Sequence, residues 1–434
     1  HPVFGLVILQ AKREGAKLLV ADSKETKLTR HSTSHLKMRP GTSVALLNGI
    51  SRIIVEKGLF NREIVSRMEA FPAFEKSLEP YTSARVSEIT GIPADALIAA
   101  AAELASAKDR MICFSLGFTE NTKDADLVLA ASNLLILLGE ETSALQVPAE
   151  YANTYGLYAV GLRPDAEAPN GRTLFDMLYE EGAVKGLYIM GEDPVSSFPY
   201  NAKILSTLRN LELLIVQDIA MTETARLADV VLPAAAWGEK DGTFINAEGV
   251  AQKAVKIVDA PGQALPDWLI LRNLALAMGR EIAVRNVSDV TAEIMAATQN
   301  EENKADKRVF IPVDYTPGEE TDAAYPLTLV TRDVLQHSGT MSTRSKSLDL
   351  VVSEALLEIS PQDAVRLGIT ENSHVKISTR RGSVYLKAKI SETIPEGRVF
   401  APVHFPHGRV NSLTYPSDNG KSGTDAVRVE AVKG

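Results

Sequence analysis

Residues 186–197 read GLYIMGEDPVSS, and residues 211–252 read LELLIVQDIAMTETARLADVVLPAAAWGEKDGTFINAEGVAQ. Two short apolar runs, Gly186–Met190 and residues 211–216, each end in an acid-rich turn, and a third, residues 228–232, stops at Pro233. Short runs that are apolar on both faces are what parallel strands buried between helical layers require. The carboxyl ends of such strands are where open α/β sheets bind their ligands. Residues 239–249, rich in Gly, Asn and Glu, are too polar for core and too long for a simple turn. They read as the floor of a cofactor site.

The same grammar holds toward the N-terminus. Residues 2–13 have helical spacing (Val3, Leu6, Val7, Leu9) with Gly15 as C-cap, and AKLLVAD then runs as a strand to Asp22. Helix, glycine, strand and acid make the second half of a βαβ unit, in which the acid either accepts hydrogen bonds from a ribose or base or caps the next turn. A short strand at 36–38 leads into RPGTSVALLNGISRIIVEKG (39–58), where Thr42 or Ser43 caps a helix that Gly58 closes. The start of that helix is either an anion or base site or a plain cap. Further helices are expected at 61–67, 82–91, 96–108 and 125–138, with a strand at 111–118. The result is alternating α/β structure on a parallel sheet.

Residues 140–169 hold aromatics and turn formers without a period, as a functional loop, a lid or a linker does. Tyr151, Asn153 and Tyr155 there are either pocket residues or packing. A helix at 173–181 leads into the central stretch, and another follows at 268–279. The run NEENKADK (300–307) reads as a linker or exposed turn, which sets a boundary near 300–322. Beyond Tyr325 the pattern turns to strands, with a hairpin in STRRGSVYL and one helix, SPQDAVRLG, started by Ser360 and Pro361 and ended by Gly368. That is an all-β barrel with a single inserted helix.

Composition narrows the function. The 434 residues carry a net charge of −9 and 45% hydrophobic residues, as a chain with a sizeable core does. Basic residues are scattered, the tightest cluster being Arg380-Arg381, which argues against a nucleic-acid or anionic-membrane partner. No apolar run approaches the roughly 18 residues of a membrane span. The lone Cys113, in the apolar run MICFSL, is expected to be a buried structural thiol. One cysteine provides neither a disulfide nor the ligands of an iron–sulfur cluster. The chain opens at His1 inside a helical pattern, with neither an initiator Met nor a signal peptide, and is expected to be a fragment or a processed product.

These motifs resemble the molybdopterin oxidoreductases of the DMSO reductase superfamily, in the branch holding formate dehydrogenase α subunits and the large iron–sulfur subunit of complex I (NADH dehydrogenase). The resemblance covers nearly the whole chain. It is most specific in TETARLADVVLPAAAWGEKDGTFINAEGVAQ (222–252), with support from HPVFG, GAKLLVAD, RPGTSVALLNG, GLYIMGEDP, TRDVLQHSGTMSTRS and PVHF. It implies an α/β fold of two Rossmann-like, doubly wound, mainly parallel domains (1–149 and 150–310) and a C-terminal double-psi β-barrel that binds the dinucleotide (323–434).

The implied cofactor is bis(molybdopterin guanine dinucleotide) carrying molybdenum or tungsten, or no metal in a complex-I-like version. The resemblance assigns one guanosine to Asp22, Gly41, Thr42 and Ser43, where the family usually has an acid in place of Ser43. It assigns the other to Gly191, Glu192, Asp193, Gln217 and Asp218. Thr331, Arg332, His337, Ser338, Gly339, Thr340, Arg344, His404 and Asn411 would face pterins and phosphates from the barrel. These residue types suit such a ligand, since carboxylates accept the paired N–H donors of guanine and phosphate takes Arg and backbone N–H groups. Read without the family, His337 and His404 are simply satisfied barrel histidines.

No catalytic or metal-ligating residue is expected within the chain, because the family's Cys₄ motif and its metal-ligating Cys or selenocysteine lie upstream of the HPVFG motif. The arginine that the formate dehydrogenases place before an Asn-Asn pair is replaced here by Ala149 and Glu150, followed by Ala152-Asn153, and the family's EGRVQ has Val250 in place of its Arg. Ala and Glu cannot grip a carboxylate as Arg does. The expected role is therefore the pterin-binding part of a formate dehydrogenase-like subunit in a multisubunit electron-transfer complex, inactive alone. The alternative is a complex-I-like scaffold without molybdenum. Iron–sulfur and NAD(P)H- or ferredoxin-linked subunits are the expected partners, in a cytoplasmic setting that reaches a membrane face only through the complex.

Overall fold

A computed structural model describes residues 2–114, 124–148, 151–162, 172–180, 182–246, 248–298, 308–332, 334–337, 339–405, 408–414 and 424–432. The chain forms two compact units: His1–Pro148 together with Asp306–Gly434, and Ala149–Ala305.

The first unit begins with an α/β layer. Strands β1 (Leu19–Asp22) and β2 (Ser34–Lys37) pair in parallel, as do β3 (Ile112–Cys113) and β4 (Leu145–Gln146). Its central helix, Ser43–Glu56, is apolar almost all round, and Val44, Ala45 and Ile54 are fully buried. A Cβ at Gly49 would lie 2.7 Å from a Val86 methyl, so glycine there lets the helices Ser43–Glu56 and Ser83–Thr90 touch. Cys113, expected to be buried, is exposed, since it is the outward-facing residue of the two-residue strand β3 while Ile112 packs toward the core. Even so, the protein atoms that do surround its sulfur push the thiol up to about 11.

The second unit holds the stretch quoted first. Strands β5 (Gly186–Met190), β6 (Leu213–Asp218) and β7 (Val230–Pro233) form a parallel sheet in that order, with Met190 opposite Gln217 and Asp218 opposite Pro233. Leu214, Val216, Ile204 and Leu178 form its core. Residues 239–249 enter a hairpin of β8 (Gly242–Ile245) and β9 (Ala251–Ala254), in which antiparallel pairing satisfies their backbone and Asn246 accepts the Val250 N–H at 2.9 Å. The polar stretch after residue 286 forms a helix, Val287–Thr298, since Val287, Val290, Ile294 and Met295 recur at helical spacing.

Strands β10 (Leu327–Arg332), β11 (Leu356–Ile359), β12 (His374–Thr379), β13 (Gly382–Ile390), β14 (Arg398–Pro402) and β15 (Thr424–Ala431) close a barrel in the order β10-β14-β11-β13-β12-β15. The pairs β10–β14 and β11–β13 are parallel and the others antiparallel. Inward residues such as Leu329, Leu357, Ile377 and Val399 are fully buried. Ser360 caps the inserted helix Pro361–Leu367 by accepting the Asp363 N–H at 3.1 Å, and Gly368 ends it at φ 64.

Residues 308–325 contain no helix or strand, yet they are firmly held. Asn133 donates to the Ile311 carbonyl at 2.7 Å and accepts the Ile311 N–H at 3.1 Å, Asn48 donates to Val313 O at 2.9 Å, and Tyr81 accepts the Tyr315 N–H at 2.7 Å. Phe310 stacks on Phe74 with centroids 4.7 Å apart. At the far end Arg381 pairs with Glu319 at 3.1 Å and Asp425 at 2.5 Å, and Arg380 pairs with Asp322 at 2.6 Å. Side chains thus supply the partners that a sheet would otherwise give this segment.

Among the described residues no single helix is long and apolar enough to cross a membrane. Replacing Asn133 with Ala removes both bonds to Ile311 and is expected to lower unfolding stability by about 2 kcal/mol, measured by urea denaturation. An unchanged midpoint would show that the segment is held without this clamp.

Candidate functional site

The site residues expected in the second unit converge at the carboxyl ends of β5 and β6. Gly191 follows β5 at φ +66, donates its N–H to Gln217 O at 2.8 Å, and has nothing within 4 Å of where a Cβ would stand. A glycine turn with open space at a strand end is what close backbone approach by a ligand needs. Asp218 closes β6 and accepts the Ala220 N–H at 3.0 Å, which fixes its carboxylate at the rim. Glu192 accepts the Asp193 N–H at 2.9 Å. Burial pushes the Glu192 carboxyl above the usual range, and the nearby Asp193 and Asp218 charges add to the rise.

Asp193 and Gln217 are turned inward. Asp193 is buried, and its Oδ1 accepts both the Thr224 N–H at 3.0 Å and the Thr224 hydroxyl at 2.6 Å, while Thr224 Oγ1 accepts the Val195 N–H at 3.2 Å. Asp193 therefore braces the Gly191 turn. Gln217 is fully buried; its Oε1 accepts the Tyr188 hydroxyl and its Nε2 donates to Asp267 Oδ1 at 2.6 Å. Asp267 Oδ2 in turn holds the Lys240 ammonium. Tyr188, Thr224, Lys240 and Asp267 were not legible from sequence, since they lie far apart in the chain and no spacing links them.

The loop candidates sit elsewhere in this unit. Asn153 Oδ1 accepts the Ile245 N–H at 2.9 Å and ties the short helix Thr154–Ala159 to β8. A Cβ on Gly156 would come within 2.1 Å of that oxygen. A small apolar cavity of ≈ 130 Å³ lies beside it, lined by Leu157, Val160, Ile245 and Ile294 among others. Tyr151 is exposed, and Ala149 and Glu150 lie outside the described residues.

In the first unit Asp22 ends β1 and accepts the Lys24 N–H at 3.1 Å. Gly41 turns at φ +75, and the Thr42 hydroxyl donates to Arg39 O at 2.6 Å ahead of the helix that Ser43 starts. In the barrel, Thr331 is fully buried on β10 and Asn411 is buried. His337 and His404 are also buried, their rings 5.3 Å apart and both against Phe405. His337 Nε2 is 2.8 Å from Val352 O, a group that only accepts, so the proton sits on Nε2; Nδ1 meets Ser342 Oγ at 3.2 Å. Gly339, at φ +64, and Arg344 are exposed and Thr340 half-buried. The Arg332 side chain and Ser338 lie outside the described residues.

Each unit by itself offers donors that suit a guanine dinucleotide arm. A rim carboxylate, Asp22 in the first unit and Asp218 in the second, suits guanine N–H groups, and in the second unit the open turn at Gly191 leaves room for close backbone approach. Among the described residues no group of His, Cys, Asp and Glu gathers that could hold a metal ion.

A raised Glu192 means that the unfolded chain loses this proton at lower pH than the folded chain does. Stability is then full below the ordinary glutamate range and declines as pH rises through the folded value. Glu192→Gln is expected to be more stable than the parent at pH 8 and indistinguishable from it near pH 3. Urea titrations at the two pH values measure this, and an equal difference at both would refute it.

Two family models match the chain: molybdopterin oxidoreductase over residues 1–277 and molybdopterin dinucleotide binding domain over residues 327–429. The chain is 32% identical to the F420-dependent formate dehydrogenase 1 subunit alpha of Methanococcus maripaludis, an alignment covering 100% of this chain and 74% of that protein. It is also 32% identical to the NADPH-Fe(3+) oxidoreductase subunit alpha of Geobacter sulfurreducens, over 94% of this chain and 52% of that protein. The solved structure of acetylene hydratase from Pelobacter acetylenicus superposes with a TM-score of 0.77 at 18% identity, covering 98% of this chain and 75% of that one, which bears on the fold. With a family model spanning more than half its length and a dinucleotide-binding barrel behind it, the chain belongs to the molybdopterin oxidoreductase family.

Proposed function

We propose that this chain is the pterin-dinucleotide-holding part of an oxidoreductase α subunit that passes electrons within a multisubunit complex. The observation that carries the reading lies in the second unit, where Glu192, Asp218 and the open turn at Gly191 gather at the parallel-strand ends of β5 and β6; in the first unit Asp22 stands at the end of β1. The group is bis(molybdopterin guanine dinucleotide), and its molybdenum or tungsten supplies the two-electron chemistry when bound. Asp22 with Gly41, Thr42 and Ser43 would hold one guanosine, and Gly191, Glu192 and Asp218 the other. Asp193 and Gln217 keep that second rim in shape. From the barrel, Thr331, Arg332, His337, Ser338, Gly339, Thr340, Arg344, His404 and Asn411 would line the pterin and phosphate side.

The single cysteine leaves iron–sulfur ligands to residues outside this chain or to partner subunits. Both relatives are named as alpha subunits, which supports partner subunits, and the name NADPH-Fe(3+) oxidoreductase supports NAD(P)H-linked ones among them; iron–sulfur or ferredoxin-linked subunits are the other class we propose. The setting we propose is cytoplasmic. Ala149 and Glu150, in place of a carboxylate-gripping arginine, favour a substrate other than formate. The same replacement favours, as the second reading, a complex-I-like scaffold that holds partner subunits without molybdenum.

Elemental analysis of the full-length subunit separates the two readings. Stoichiometric Mo or W, with guanine nucleotide released on acid denaturation, is expected, and absence of both would leave the scaffold. Formate-dependent dye reduction by the same preparation is expected to be undetectable, and robust turnover with formate would overturn the assignment of residues 149 and 150.

A further inference from the structure

Arg398 and Phe400 share the outer face of β14, because Val399 and Ala401, between and beyond them, point into the barrel core. The loop after β1 lies against that face, with the Lys24 ammonium 5.5 Å from the centre of the Phe400 ring. Asp22, the last residue of β1, accepts the Lys24 N–H at the start of that loop. Arg39 approaches from the turn before helix Ser43–Glu56, where it caps the carbonyls of Glu88 and Ile89. Burial, and then the charge of Arg39, both hold Arg398 below the usual arginine range.

Two other sheltered arginines have carboxylates: Arg110 has Glu140, and Arg381 has Glu319 and Asp425. Among the described residues, Lys24, Arg39 and Arg398 have none. A half-buried guanidinium without a carboxylate is unfavourable unless an anion joins it, and Phe400, under the Lys24 ammonium, is two residues from Arg398 on the same strand face. The anion would lie on the side of Asp22 and the Gly41 turn.

We propose that Arg398, with Lys24 beside it, binds a phosphate of the guanine dinucleotide arm whose base and sugar are received by Asp22, Gly41, Thr42 and Ser43. This rests on the cofactor reading above and adds to it a barrel residue outside the sequence motifs. Arg398 thereby links the outer barrel wall to the α/β layer through the ligand rather than through a salt bridge.

The test is thermal denaturation and calorimetric titration of the full chain and its Arg398→Met variant, with GDP, guanosine and inorganic pyrophosphate as probes. Ligand-free, the variant is expected to melt at the same temperature as the parent or higher, since an uncompensated charge has been removed. Its affinity for GDP and for pyrophosphate is expected to fall about tenfold, as when a charge-assisted hydrogen bond is lost, while guanosine binding is unchanged. Arg398→Lys is expected to recover part of the loss. A variant that melts lower and binds GDP as the parent does would assign Arg398 a structural role and overturn the proposal, as would a parent that binds neither GDP nor pyrophosphate. Pyrophosphate held through Arg398 with GDP bound no more tightly would uphold the anion site and remove the nucleotide reading.

Discussion

The first unit is assembled from two stretches of chain that lie far apart, residues 1–148 and 306–434, and its integrity rests on how the segment 308–325 satisfies its backbone. A strap without regular structure loses backbone hydration where it packs, and each lost bond costs about 1–3 kcal/mol if nothing replaces it. Asn133 answers as a strand would, with one donor and one acceptor on the same residue of the strap. Asn48 and Tyr81 continue the pattern, and the stacked Phe74 and Phe310 add an apolar anchor. The α/β layer and the barrel are therefore joined by side-chain amides, a phenol and an ion-pair cluster.

Two uses of charge can be told apart in this chain. Glu319, Asp322, Arg380, Arg381 and Asp425 neutralise one another, and the Glu319 carboxyl lies below its usual range through its bonds to Arg381, the Ala426 N–H and Arg380, in spite of burial. Asp363 behaves likewise under Ser360, Arg366 and the Gly397 N–H. These networks hold structure. Glu192 and Arg398 show the reverse: burial works against their charged forms, and protein partners do not restore the balance. Groups shifted against their charge, near strand ends or facing loops, are where ligands are expected.

Much of the architecture was legible in the linear pattern. The apolar runs ending at Met190, Asp218 and Pro233 mark the parallel sheet, and Ser360, Pro361 and Gly368 mark the one barrel helix, because propensity and capping are local effects. Local pattern said less where pairing decides: residues 239–249, too polar for core, enter a hairpin, and the acid-rich stretch after residue 286 hides a helical period. Cys113 in an apolar run is exposed because it faces outward from its two-residue strand.

For the candidate site, the sequence by itself determined which acids and glycines stand at strand ends, Asp22, Gly191, Glu192 and Asp218, and that Gly41 turns the chain ahead of a helix, since a strand's end and the turn after it are written in consecutive residues. Only the tertiary structure decided which of the neighbouring polar groups face inward. Asp193 and Gln217 sit beside Glu192 and Asp218 in the chain, yet they are consumed by Thr224 and by Tyr188 and Asp267. The meeting of Lys24 with Phe400 likewise joins residues from opposite ends of the chain. Hydrogen bonds and charges act through space over a few ångströms, and the chain brings such groups together only when the barrel closes against the α/β layer.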